Sequence, residues 1–398
     1  MTTMTLRHSS LVTVLCLLTG AALAAAGANE GGLQIRPKIG IGVTNDSNIF
    51  LAPKNATSAW IAEPSAALGI GIKGKKASLN VGYEIAPQIY SVYQKVNNAV
   101  QQTAALSTQV EYMPEGLIGL DDQFRITADP ASSELTARSL RNQNDAALLF
   151  DLPVGPKLYA GLRVIDTIHH YRVASLAPLL DRNELLAGIR LGLRPSAKTK
   201  VFGFFKSSNV NFKSASSFND STGSLIGAGV EGEITSRITG LVEANTVSRK
   251  YSQTLTGETS EYTTGGFTAS LKWDGPSSIS VSLAGGRSFV ESVFNRYYMQ
   301  TGGSLAVTKE LNKRFSVQVL GAYGVDQYPD ARAAFLADGT LLDARRRDTN
   351  MTVGLNLSYH LIEKQTFKLG YLMRTRSSNF DTYKYTDNQL SLSADYIL

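Results

Sequence analysis

The chain has 398 residues and a formal net charge of +6, with 43% hydrophobic residues, 18% charged residues and one cysteine. After the first thirty residues there is no apolar run of eighteen, which excludes helical membrane spans, and a single Cys excludes a disulfide framework. Gly (35) and Tyr (17) are plentiful, as suits many short strands with aromatics at their ends.

Residues 1–28 read as a secretory signal peptide. Arg7 and His8 form the basic end, an apolar stretch begins at Leu11, and Ala22-Leu-Ala24 and Ala26-Gly-Ala28 offer cleavage near 24–28. Cys16 lies inside that stretch, so the mature chain, 29–398, would hold no cysteine. Removing Arg7 leaves 38 basic against 33 acidic residues. In an exported chain such an excess points to anionic glycans, lipopolysaccharide phosphates or a cation-lined pore, and away from nucleic acid.

The remainder repeats one phrase: a strand of about ten residues, a tight turn, another strand and a longer polar loop. The tight turns fall at Lys73–Lys75, Met113–Gly116, Leu152–Pro156, Arg194–Ser196, Ile234–Ser236, Trp273–Pro276, Lys309–Asn312 and Leu361–Lys364. Most carry Gly, Pro, Asp, Asn or Ser, which tight reversals favour. The longer stretches are 44–64, 86–102, 127–141, 167–181, 209–221, 250–260, 290–296, 328–346 and 377–384. Eight turns and nine loops predict an all-β, antiparallel up-and-down transmembrane barrel of about 18 strands, with both termini periplasmic; one missed or spurious hairpin would make it 16 or 20.

Side-chain alternation assigns the faces. Leu185, Ala187, Ile189, Leu191 and Leu193 face lipid, with Arg190 and Arg194 inward. Phe367, Leu369, Tyr371 and Met373 do the same opposite Lys368, Arg374 and Arg376. Arg or Lys facing lipid at mid-depth costs about 2–4 kcal/mol, so a slip of one residue is prohibitive. The stretch 197–208 is ambiguous, because Phe202 and Phe204 share a face with Lys200 and Lys206. The chain ends on an alternating strand whose Leu390, Leu392, Ala394, Tyr396 and Leu398 fall on one side. Tyr83, Tyr90, Tyr93, Tyr112, Tyr371 and Tyr383 read as interfacial girdle residues.

Eighteen strands enclose a lumen too wide for side chains to fill, so a water channel is expected. Its predicted lining is Arg125, Arg163, Arg190, Arg194, Lys368, Arg374 and Arg376, faced by Asp121, Glu231, Glu233 and Glu243. Opposed basic and acidic walls would set up a transverse field, whereas ordinary internal ion pairs would only hold the wall. Arg345-Arg-Arg347, at a loop end, is a candidate contact for lipopolysaccharide or an acidic glycan. Catalysis is not expected: there is no G-x-S-x-G motif. His169 and His170, as strand neighbours, point oppositely, which disfavours a shared metal. No cofactor is expected.

The first predicted strand, Ile35–Val43, is followed by Thr44-Asn-Asp-Ser-Asn-Ile-Phe50, then Glu63-Pro-Ser-Ala-Ala-Leu68, Val81-Gly-Tyr83 and Ile89-Tyr-Ser-Val-Tyr93. This order resembles the β-barrel porin type 2 family of Gram-negative bacteria. Residue by residue the resemblance covers the first hundred positions; beyond them it is one of strand rhythm. It implies an outer-membrane conduit associated with exopolysaccharide export, partnered by a periplasmic export or copolymerase protein and inserted by the barrel-assembly machinery. Asp46 and Asn48 read as turn residues that reverse the chain. A diffusion porin for small polar or anionic solutes, and a non-conducting structural or adhesive barrel, are the alternatives.

Overall fold

The computed structural model describes residues 32–130, 134, 138–196, 198–214, 219–253, 260–292, 296–335 and 341–398, and the predicted signal peptide lies outside them. Eighteen strands follow in order: β1 Leu33–Asp46, β2 Ala59–Lys73, β3 Ala77–Tyr90, β4 Ala99–Met113, β5 Gly116–Thr127 and β6 Arg141–Pro153. Next come β7 Leu158–Tyr171, β8 Arg182–Ser196, β9 Thr199–Phe212, β10 Ser221–Thr235, β11 Ile238–Tyr251 and β12 Glu261–Asp274. The last six are β13 Ile279–Glu291, β14 Tyr297–Glu310, β15 Phe315–Phe335, β16 Leu341–Ile362, β17 Gln365–Ser378 and β18 Tyr385–Ile397. Each pairs antiparallel with its sequence neighbours, and β1 pairs with β18, so the sheet closes. Closure leaves no open edge, the condition for a sheet to sit in hydrocarbon.

All eight predicted tight turns join strands at one end, where the first and last strands also begin and stop. At the other end the predicted loop at 328–346 is largely strand: β15 and β16 run 21 and 22 residues and pair out to Phe335 and Leu341. The apolar residues of that segment fall in runs, at 333–337 and 341–342, without the strict alternation of the lipid-facing strands. Single helical turns, Gln94–Asn97 and Ala177–Leu180, punctuate two other loops.

The outer face carries the apolar rows. Ile41, Val242, Leu283, Leu305, Val319, Leu355 and Leu392 are exposed on it, as a lipid-facing surface requires. Tyr83 and Tyr371 are exposed there too, but Tyr90 is buried and Tyr383 packs over Arg346, so neither belongs to a girdle. Asp122 interrupts the outer row, where its carboxylate accepts from Asn144 Nδ2 at 3.0 Å. Pairing in the outer row halves the exposure that makes a carboxylate costly in lipid.

The seam between β1 and β18 is held by the Asp46-Ser-Asn48 phrase. Asn48, 1% exposed, donates to the carbonyls of Ala52 and Thr386 at 2.9 and 3.0 Å, and its Oδ1 accepts from Ala52 N at 2.9 Å. Asn388 N donates to Ser47 Oγ at 2.7 Å, and Ser47 N to Asn388 O at 3.0 Å. The phrase does reverse the chain, as its residue types suggest, and it also locks first strand to last. Asn48→Ala leaves the carbonyls of Ala52 and Thr386 and the Ala52 amide without this partner, so the unfolding free energy should fall by about 1–3 kcal/mol. Heat-modifiability on cold gels checks this; an unchanged transition temperature would refute the lock.

Candidate functional site: the barrel lumen

Inward residues are fixed by register, because cross-strand partners share a face. Glu243 pairs with Thr268 and Gly229, Gly229 with Phe202, and Phe202 with Gly192, so β8 to β12 present these to the lumen. The ambiguity over 199–212 resolves accordingly: Phe202 and Phe204 point inward, only 2% and 4% exposed. They tolerate the lumen because cations cover them. Arg190 lies 4.6 Å from the Phe202 centroid and Lys206 4.3 Å from that of Phe204. Tyr159 completes the cluster, with Lys200 at 5.1 Å from its ring.

The same cations are ion-paired. Arg190 reaches Glu243 at 2.7 Å and Glu231 at 3.2 Å; Lys206 shares Glu243 at 3.0 Å. Lys200 bridges Glu231 and Asp151 at 3.3 and 3.5 Å. Below them Arg194 binds Glu115 in a turn, and Lys198 binds Glu233. A second sector lies on β15 to β18 and β1. Arg374 bonds Asp387 at 2.7 Å, Arg376 donates to Asn350 at 2.9 Å, and Lys368 bonds Asp395 at 2.8 Å. Arg125 bonds Asp145 at 2.6 Å. Arg163 is exposed in the lumen, and with Arg36 and Asp121 it lines a recess of about 580 Å³.

The predicted lining residues therefore all sit on inward positions, with Glu115 joining them from a turn. The transverse field between opposed walls is not formed. Each sector carries its own acids beside its bases, so charges cancel locally, and the ion-pair alternative describes the wall.

Between the charged clusters, the middle of β12 to β16 carries mostly small inward side chains, with Gln318, Leu320 and Asn356 on one flank and Gln300, Asp326 and Asn350 on the other. The small inward residues are Thr268 and Ser270, Ser282, Ala284 and Gly286, Gly302 and Ser304, Ala322 and Gly324, and Thr352 and Gly354. A recess of about 610 Å³ opens along this strip. One side of the lumen is thus studded with charge and ring, and the other is lined mainly by hydroxyls, small side chains and main chain, edged by Gln300, Asn350 and Arg376.

Toward the long loops the lumen narrows. β12 and β13 pair only from Phe267 and Arg287 down to Asp274 and Ser280, while β13 stays paired with β14 out to Glu291 and Tyr297. Freed from β12, the β13–β14 tip turns inward. Glu291 ion-pairs with Arg249 of β11, and Tyr297 packs on Tyr262 and Phe289 with centroids 4.9 and 4.7 Å apart.

The Arg345-Arg-Arg347 run lies on β16, and its residues alternate in exposure. Arg345 and Arg347 are exposed, as a glycan contact requires. Arg346 is not available for one. It is 1% exposed, bonded to Asp348 at 2.9 Å and stacked 4.5 Å from the Tyr328 ring. Glu134 reaches it from the β5–β6 loop at 3.9 Å. A strand register, invisible when the run is taken for a loop, separates the three. His169 and His170 point apart, toward Glu184 at 3.5 Å and Asp181 at 2.7 Å.

Comparison with known proteins bears on this geometry. The signature of the family described as Putative beta-barrel porin 2 matches residues 180–396, the region from β8 to β18 and not the Thr44–Phe50 phrase that first suggested such a family. No curated protein matches the sequence. Among solved structures, OccK3 (OpdO) of Pseudomonas aeruginosa is 12% identical with a TM-score of 0.49, covering 96% of this chain and 99% of that one. OpdK of the same organism is 10% identical with a TM-score of 0.48, covering 92% and 98%. OccAB3 of Acinetobacter baumannii is 10% identical with a TM-score of 0.47, covering 92% and 99%.

Glu243→Gln would leave Arg190 and Lys206 without their shared carboxylate. Stability should drop by roughly 3 kcal/mol, and the reversal potential in a KCl gradient should move toward anion selectivity. Arg163→Gln should move it toward cations with stability held within about 0.5 kcal/mol. Selectivity unmoved by both would take the two residues off the conducting path.

Proposed function

Because the chain belongs to the Putative beta-barrel porin 2 family and is a porin-like barrel of the bacterial outer membrane, we propose that it is the conduit by which a polysaccharide leaves the cell. The observation that carries this reading is the strip of small inward residues through the middle of β12 to β16, where Thr268, Ser270, Ser282, Ser304 and Thr352 offer hydroxyls and the glycines offer main chain. A polymer of hydroxylated rings exchanges hydrogen bonds with such a wall at many equivalent points. Each bond is weak, so no position traps the chain, which conduction requires. The charged sector opposite has its cations already engaged, so it holds the wall's shape and does not grip the cargo.

In this reading the short turns and both termini face the periplasm, where an export or copolymerase protein hands over the polymer. The long loops face lipopolysaccharide outside, and the barrel-assembly machinery reads the β18 strand. No nucleic acid, cofactor or catalytic step has a part. A diffusion porin for small polar or anionic solutes is the second reading, favoured by the exposed Arg163 beside its recess.

Deletion of the gene should abolish surface polysaccharide and leave uptake of small solutes unchanged. Loss of solute uptake with polysaccharide intact would reverse the order of the two readings. Severing the Arg249–Glu291 pair with Glu291→Gln should raise single-channel conductance of the purified barrel, because the β13–β14 tip loses its hold across the lumen; equal conductance would show that the tip does not limit flow.

A further inference from the structure

The seventeen connections of the barrel are unequal in charge as well as in length. The eight short turns, taken between strand ends, contain Lys75, Lys76, Lys157, Lys198, Arg237, Lys313, Arg314 and Lys364 against Glu115 and Glu363 alone. The nine longer loops contain seven basic and seven acidic residues. The surplus of the turns, eight against two, is +6, where the chain without Arg7 carries 38 basic against 33 acidic residues. All eight turn cations are exposed, and Glu115 is drawn off by Arg194. The connections at the loop end thus sum to zero, and the projecting part of β15 and β16 adds Arg332, Arg345, Arg346 and Arg347 against Asp330 and Asp343 there. Those at the turn end sum to a ring of +6.

We propose that this ring is a collar that captures an acidic glycan, bearing carboxylate or phosphate groups, and feeds it into the lumen. The inference rests on the channel reading above and adds the charge of the cargo and the side from which it enters. Two further observations support it. The ring does not stop at the rim: Arg36, exposed at the start of β1, and Arg163 line one recess inside the lumen. And the outward residues that flank the turns, Leu158, Ile238, Ile279 and Phe315, are apolar, so the cations ride on the tips and not on the lipid face. A single exposed cation contributes little. A closed ring of them on a low-dielectric wall focuses its field at the opening and raises the encounter rate of an anion by about 10- to 1,000-fold. Salt screens such a field within about 8 Å at physiological strength, so the effect acts on capture and not on passage.

The test follows oligogalacturonate, a carboxylated glycan, as it blocks current through single channels in an oriented bilayer. In about 50 mM KCl the blocking on-rate from the turn side should exceed that from the loop side at least tenfold, and in about 1 M KCl the difference should vanish. Lys75→Gln, Lys76→Gln, Lys157→Gln, Lys313→Gln, Arg314→Gln and Lys364→Gln together should erase the preference while conductance in high salt is kept. Lys313→Gln with Arg314→Gln alone, which alters one turn only, should lower the on-rate severalfold. Equal on-rates from both sides, or a preference that survives the substitutions, would overturn the proposal. So would substitutions that spare the on-rate but lower stability only in bilayers containing phosphatidylglycerol, which would assign the ring to lipid headgroups. A wild-type barrel that passes no current would instead bring down the channel reading beneath it.

Discussion

The structure depends on one obligation: within hydrocarbon, every backbone N–H and C=O must find its partner inside the protein. A sheet meets it only by closing, and closing here means joining residues more than 340 positions apart, β1 to β18. That joint is the least local contact in the molecule and carries the largest entropic handicap. The chain reinforces it with side chains as well as ladder bonds, which is why Asn48 is buried at a loop where solvent would otherwise be expected. Once the cylinder exists, lipid on one side and water on the other dictate almost every remaining choice of residue.

Inside, the governing effect is that charge in a partly enclosed lumen is stable only beside its opposite. Glu243, 5% exposed, is surrounded by Arg190 and Lys206; Asp387, fully buried, is met by Arg374. Cations that serve carboxylates also roof aromatic rings, so Phe202 and Phe204 can occupy a wall that faces water. The outcome is a lumen of two textures, one rigid and neutralised, one smooth.

Much of this was legible in the residues. Tight reversals announce themselves through Gly, Pro and Asn, and period-two alternation separates faces, so the 18 strands and the inward positions of Arg190, Arg374 and their neighbours could be read directly. Partners could not, because Arg190 and Glu243 meet across three strand pairings whose register is nowhere written locally. Phe202 and Phe204 misled because a ring under a guanidinium or ammonium obeys a pairwise rule, not a hydropathy rule. The stretch 328–346 was hidden for another reason: its apolar residues fall in runs, at 333–337 and 341–342, so period two does not mark it as strand. Arg346 went with it, taken for a surface residue when it is buried between the exposed Arg345 and Arg347.

That overlong hairpin has a mechanical corollary. Above Gln327, β15 has no ladder to β14, and below residue 348 in sequence β16 has none to β17. Beside its own ladder, the base of the ribbon is held by Arg346 against Tyr328, Tyr383 and Glu134 and by Asn379 on the main chain of Arg345 and Arg347. Two-stranded ribbons in water are marginal by themselves. Beyond those contacts the rungs from Ala331–Arg345 to Phe335–Leu341 join β15 only to β16, so the opening free energy of that stretch is set by those rungs and not by the cylinder beneath.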